Sequence, residues 1–514
     1  MAPSLPEPNA GRGNGTSARI DDRDLEQKIA EVLGRWPAAG LAAGVVRDGS
    51  LEWFLGHGVA DIRSREPITA DTVFRIGSIT KTFTAIAVMQ LSEQGWVDLD
   101  APASDYLRAF RLVPDQVSFR PTLRHLLTHT AGIGYWRRLL DLLQPGVGSG
   151  DRAGRSGAPP LADYYRRGLE VEPGTKWAYS NHGFAVLGQI VEDVSEKALD
   201  RYLRDHVFEP LGMEHTDLIR SERVRPRLAT RYVLRSRGLR PVADRDVLTP
   251  GGSGMYSTAG DLARYMSALL RTGAGEPGSV LKPDMLDSMF QPHFRLDRRL
   301  PGMGLGFELG EENGHRTVCK GGVVSGFLSA MALAPDDGIG VIVLSNTGGL
   351  DGRGAPALLQ VALLRRLLGL PDDAVPTSVA AHPEVWSEIC GWYGLDPGPV
   401  TNLFARALMG AGAEVMVHRG HLILKPLTPV PAMRRGMRLY PDDPDDPSVF
   451  RIKFPEYGRT ARVVFSGGAD EGRPMRLLMD VMSFEKRPDI RNPRRWVNAA
   501  LLAGAAALAV RRGR

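Results

Sequence analysis

Three Ser-x-x-Lys runs occur in this chain, Ser78–Lys81, Ser279–Lys282 and Ser483–Lys486, and only the first stands where a strand-like run gives way to an apolar helix. Thr72 to Gly77 reads as a strand end, and Phe83 to Gln94 continues a helix that begins near Ser78. On a helix, residues i and i+3 share a face, so the Lys81 ammonium reaches the Ser78 hydroxyl. The helix N-terminus also favours negative charge developing on that oxygen. Pro283 breaks a helix directly after Lys282. Ser483 sits in a strand-like run, where residues three apart point to opposite faces. The structural alternative for Ser78 is an N-cap serine followed by a surface lysine.

Two further motifs weigh against that alternative. Among twelve tyrosines only Tyr179 has an asparagine two residues on, in Tyr179-Ser180-Asn181. The chain has 9 lysines against 55 arginines, and only Lys320 has a glycine two residues on, in Lys320-Gly321-Gly322 at an apparent strand end. A core tyrosine, a helix-start asparagine and a strand-end turn would each explain one motif. They do not explain the three together in this order. The Gly-x-Ser-x-Gly nucleophile elbow of α/β-hydrolases is absent from the sequence.

In that order the motifs resemble the serine β-lactamase and penicillin-binding-protein superfamily. More narrowly, the chain resembles the class C β-lactamase-like branch with its family VIII esterases and D-aminopeptidases. Supporting stretches are Phe74–Ser78, Leu126–Gly132, Pro173-Gly174, Gly251–Gly254 and Ser257–Ala259. The resemblance covers about residues 22 to 370. Many esterase-like members carry histidine where this chain has Lys320, and there it is similar to the lactamase side. The resemblance implies a mixed α/β (α+β) β-lactamase-like fold: an antiparallel sheet flanked by helices, with an all-helical region inserted and the active site between the two.

It also implies the site. Ser78 would be the nucleophile of an acyl-enzyme. Lys81 and Tyr179 are joint candidates for its base, with Lys320 as the nearby cation. A lysine with a pKa near 10.4 would need about 4.6 kcal/mol to be neutral at pH 7, which burial and a second cation reduce. Asn181 would hydrogen-bond the substrate, and the backbone N–H groups of Ser78 and Val323 would form the oxyanion hole. Gly321 and Gly322 would let substrate approach the strand. Tyr256 is a candidate pocket-lining residue. His129 reads as a core or cap residue, and Cys319 should face away from the site by strand alternation.

Domain organisation follows composition. Residues 1–20 read as a disordered leader without a secretory signal. Residues 21–370 form the catalytic region, and the proline-rich 371–383 a linker. Residues 384–492 form a β-rich domain weakly resembling appended lipocalin-like domains, and 493–514 a basic, apolar tail. The formal net charge is +5, while Glu485 to Arg514 alone carries +6, so the main body is near neutral and nucleic acid is not an expected partner. Within the tail, the 15 residues Trp496 to Val510 are too short to span a bilayer. They read either as a docked helix or as a peripheral anchor on anionic lipid. Two cysteines exclude a disulfide scaffold, and no Cys/His cluster has zinc spacing, so neither metal nor cofactor is expected. The cytoplasm is the expected compartment. The expected activity is hydrolysis of a small ester or amide. The alternatives are a D-amino-acid peptidase or carboxypeptidase with weak β-lactam hydrolysis, and a non-catalytic ligand- or lipid-binding scaffold.

Overall fold

The computed structural model describes residues 22–112, 120–133, 172–270 (except 237, 245, 246 and 248), 279–349, 354–395 (except 372–374, 376 and 377) and 412–493 (except 429–430, 455–459 and 469–471). The leader, the Gly/Pro/Ser-rich 144–160 and the apolar tail lie outside them.

A seven-stranded antiparallel sheet organises the first 370 residues. Its order is Glu66–Pro67, Ser50–Asp61, Gly40–Arg47, Ile339–Ser345, Phe327–Ala334, His315–Val324 and Glu308–Glu312. The chain thus starts at one half of the sheet and returns to complete it some 250 residues later. Leu41 pairs with Ser345 and Arg47 with Ile339 across that seam. Central strands read Gly-Leu-Ala-Ala-Gly-Val-Val and Ile-Gly-Val-Ile-Val-Leu-Ser, buried on both faces because helices cover both sides. Helices Asp22–Arg35 and Ala355–Leu367 pack one face through Leu25, Ile29, Leu359 and Leu363. Ala259–Leu270 and the helical region pack the other through Phe83, Met266, Phe184 and Leu262.

Several readings shift at their edges. The strand before Ser78 is only Phe74–Arg75, paired with Tyr256-Ser257. The strand carrying Lys320 does not end there but runs on to Val324. The Leu123–Leu127 helix is capped by Thr122 and stops before Gly132, because His129 already takes a left-handed φ of 60°.

Residues 391–487 form a nine-stranded antiparallel sheet curled into a nearly closed barrel. Its edge strands, Met437–Arg438 and Tyr440–Pro441, are separated only by Leu439. The single run expected over Met475 to Phe484 is a hairpin, Arg473–Met479 with Met482–Arg487. Its interior is filled by Tyr393, Phe450, Phe465, Leu477 and Phe484, a packed core. The barrel meets the catalytic region where Leu300 packs on Val449, Val464 and Leu478, and where Arg299 pairs with Asp446 at 2.7 Å. No helix among the described residues is long and apolar enough to cross a membrane.

Candidate active site

Ser78 lies in a single 3₁₀ turn, Gly77–Ile79, that leads directly into the α-helix Thr80–Glu93. The turn is pinned from three sides. Thr80 Oγ1 donates to Gly77 O at 2.6 Å, Ser329 Oγ donates to Ile76 O at 2.8 Å, and Ile76 N–H donates to Met255 O at 3.0 Å. Gly77 needs its glycine: its φ is +50°, and a Cβ there would sit 2.8 Å from Val323 N. Strand and turn therefore touch backbone to backbone, which brings the Val323 N–H beside Ser78.

The Lys81 side chain is fully buried, one helical turn on. Its Nζ lies 3.1 Å from Ser78 Oγ, 2.6 Å from Asn181 Oδ1 and 2.7 Å from Gly252 O. Burial pushes its pKa well below the ordinary lysine value, and the Lys320 charge pushes it further the same way. Tyr179 reaches in from the segment before the Asn181–Ser195 helix, and its hydroxyl donates to Ser78 Oγ at 2.7 Å. Burial raises the phenol's pKa; the Lys320 charge and the Ser78 bond oppose this without reversing it.

Lys320 is equally buried, at 1% exposure, and lies 5.2 Å from the Tyr179 ring centroid. Its ammonium is held by Glu308 at 2.9 Å, whose side chain is 45% exposed. Burial alone would lower the Lys320 pKa, yet Glu308 and then Tyr179 together hold it above the ordinary value.

Ser78, Lys81, Tyr179, Asn181 and Lys320 thus converge, and three placements differ from expectation. Asn181 spends its side-chain carbonyl on Lys81. Gly322 is not an opening for substrate: the space a Cβ would need is occupied by Ile76 O and Ser329 Oγ, while Gly321 beside it is the exposed one. Tyr256 does not line a pocket, since it is buried with its hydroxyl donating to Asp244 at 2.8 Å. Cys319 packs toward the terminal helices, as alternation requires.

Two groups escaped the sequence reading. Glu308 carries no local signal, and its strand register places it opposite Cys319 rather than Lys320. The Gly252 carbonyl is backbone, visible only as the tight Gly251-Gly252 pair. A Cβ on Gly252 would sit 3.0 Å from Asn181 O, so the pair lets that helix and Lys81 approach.

Gly322→Ala is therefore expected to push the Lys320 strand off the Ser78 turn. Overpacking of this kind costs about 1–3 kcal/mol. Thermal unfolding of the variant checks it, and a melting point equal to wild type would show that the strand gives way freely.

A family model described as Beta-lactamase matches residues 25–365. The esterase EstB of Burkholderia gladioli is 31% identical over 319 residues, covering 55% of this chain and 78% of that protein. A D-aminopeptidase of Brucella canis is 25% identical over 411 residues, 77% of this chain and 73% of its own. Among solved structures, the octameric penicillin-binding protein homologue from Pyrococcus abyssi shares the fold, at 24% identity and a TM-score of 0.59 over 91% of this chain and 100% of that one. The sheet, the inserted helical region and the match over 25–365 agree: the chain belongs to the beta-lactamase family of serine hydrolases.

Proposed function

We propose that the protein hydrolyses small esters through an acyl-enzyme on Ser78, with Lys81 as the base. The observation that carries this reading is the threefold environment of Lys81 Nζ. A neutral amine has two N–H donors and one lone pair. Asn181 Oδ1 and Gly252 O can only accept, so they take the two donors. The lone pair is left facing Ser78 Oγ at 3.1 Å. Burial of Lys81 favours this neutral form, and burial of Tyr179 favours the phenol over the phenolate.

A hydrogen-bonded chain follows, from the Tyr179 O–H to Ser78 Oγ and from the Ser78 O–H to Lys81 Nζ. On attack, the serine proton passes to Lys81 while the Ser78 oxygen forms its bond to the carbonyl carbon. The N–H groups of Ser78 and Val323 receive the carbonyl oxygen, each donor contributing about 2.7–4 kcal/mol. Tyr179, held beside Lys320, then donates its proton to the leaving oxygen and regains one from Lys81. Water repeats the sequence on the acyl-enzyme.

The ester substrate is favoured by EstB, and the test is a panel of short and long p-nitrophenyl esters, a chromogenic cephalosporin and D-alanyl peptides. Ester turnover well above the other two supports the reading, and turnover confined to the cephalosporin overturns it. A D-amino-acid peptidase is the second reading. It is favoured by the D-aminopeptidase match, whose 411 aligned residues extend beyond the catalytic region.

Glu308 sets the working pH. Its carboxylate raises the pKa of Lys81, Lys320 and Tyr179 alike. Glu308→Gln removes that charge, so both limbs of the kcat/KM profile should move toward acid. A profile that stays in place, or moves to alkali, would mean that Glu308 does not set the charge state of these groups.

A further inference from the structure

His129 stands behind Tyr179 without touching Ser78 or either lysine through any hydrogen bond. It follows a helix of only five residues and adopts the left-handed conformation, φ 60°, which few side chains accept. That turn aims two acceptors of one residue at one neighbouring segment. The His129 carbonyl accepts the Ala178 N–H at 2.8 Å, and His129 Nδ1 accepts the Ser180 N–H at 3.1 Å. The two bonds straddle Tyr179. The ring lies beneath the phenol, with centroids 4.4 Å apart and planes 35° apart, and beside Phe184 at 5.2 Å. Thr130 extends the same clamp by accepting the Gly174 N–H at 2.8 Å. Ser180 is then fixed a second time, as its Oγ accepts the Gly183 N–H at 3.0 Å and starts the helix carrying Asn181.

An accepting Nδ1 on a neutral ring leaves the proton on Nε2. That atom is buried with no hydrogen-bond partner among the described residues. Burial, the Lys320 charge and the Lys81 charge all keep the imidazole neutral. The fold therefore keeps a strained backbone angle and an unpaired buried donor at this residue, costs that a purely apolar filler would avoid.

We propose that His129 is the positioning residue of the Tyr179–Asn181 segment, its two acceptors and its ring fixing the Tyr179 hydroxyl on Ser78 and the Asn181 carbonyl on Lys81. The inference rests on the acyl-enzyme reading and deepens it. His129 exchanges no proton with substrate. It fixes where the groups that do so stand, and misplacement by about 1 Å can cost up to about a hundredfold in rate.

The test uses the full chain and kcat per active site titrated with a fluorophosphonate, so that loss of folded protein does not register as loss of rate. In His129→Asn the side-chain oxygen takes the place of Nδ1, and asparagine accepts the left-handed turn. Its kcat per site should stay within about threefold of wild type. His129→Phe keeps a ring under Tyr179 but has no side-chain acceptor for Ser180. Its kcat per site should fall by about tenfold or more, with KM within about twofold. Should the phenylalanine variant not fold, His129→Gln replaces it. Its oxygen falls near the Nε2 position instead, so its kcat per site should be about tenfold below that of His129→Asn. Wild-type kcat per site in His129→Phe, or equal rates in the Asn and Gln variants, would overturn the proposal. Ser78→Ala run in parallel separates the two failures. If it still labels and turns over, the acyl-enzyme reading falls; if it is silent while His129→Phe is unimpaired, only the His129 inference falls.

Discussion

Ser78→Ala is expected to abolish ester turnover and fluorophosphonate labelling, with kcat reduced by about a thousandfold or more. The hydroxyl it removes is the point at which Tyr179 and Lys81 meet, so no neighbouring group can take over the bond to the acyl carbon. Ser279 and Ser483 supply the controls. Ser279 Oγ donates to the Leu281 carbonyl at 2.5 Å. Ser483 Oγ accepts from Arg476 at 2.6 Å, while Lys486 donates to the Glu388 carbonyl. Neither serine has its motif lysine as partner, and Ser279→Ala and Ser483→Ala should both label and turn over as wild type. Labelling that persists in Ser78→Ala would remove Ser78 as the nucleophile.

Lys81→Met should be nearly as damaging, with kcat lower by about a thousandfold, because methionine fills the buried channel but has no lone pair for the serine proton. The same variant has a second signature in stability. Burial depresses the Lys81 pKa below its ordinary 10.5. Between that depressed value and 10.5 the unfolded chain binds more protons at this position than the folded one, so the lysine's contribution to stability rises with pH. Below the window the folded protein bears the full cost of an interior ammonium. Lys81→Met lacks this dependence, and thermal unfolding across neutral to alkaline pH should show its advantage over wild type shrinking as pH rises. A constant difference would mean that Lys81 is charged throughout. A kcat in Lys81→Met within about tenfold of wild type would move the base assignment to Tyr179.

Much of the site is legible in residues because its key distances are short along the chain. Ser78 and Lys81 meet through one helical turn, which any right-handed helix starting near Gly77 would provide. Tyr179 and Asn181 are two apart, one in the extended segment before the helix and one at its start, so the same stretch presents both. Lys320 and Gly322 share a strand face. What the spacing does not carry is the partner of each group. Asn181 looks like a substrate ligand until the fold sets its carbonyl 2.6 Å from Lys81. Gly322 looks like an opening until the Ile76 carbonyl closes it.

The sequence by itself determined the identity of the reacting side chains, the two sets of strands and the β-rich character of residues 384–492. Each is encoded in runs of a few residues, where helical and strand periodicity act. The tertiary structure alone decided their states. Whether Lys81 is neutral depends on burial by helices more than a hundred residues away and on the Lys320 charge. Whether Lys320 stays charged depends on Glu308, which strand register would place beside Cys319 instead. Desolvation and Coulomb interaction depend on distance in space, and distances of that kind are set only when the first strands and the last close into one sheet.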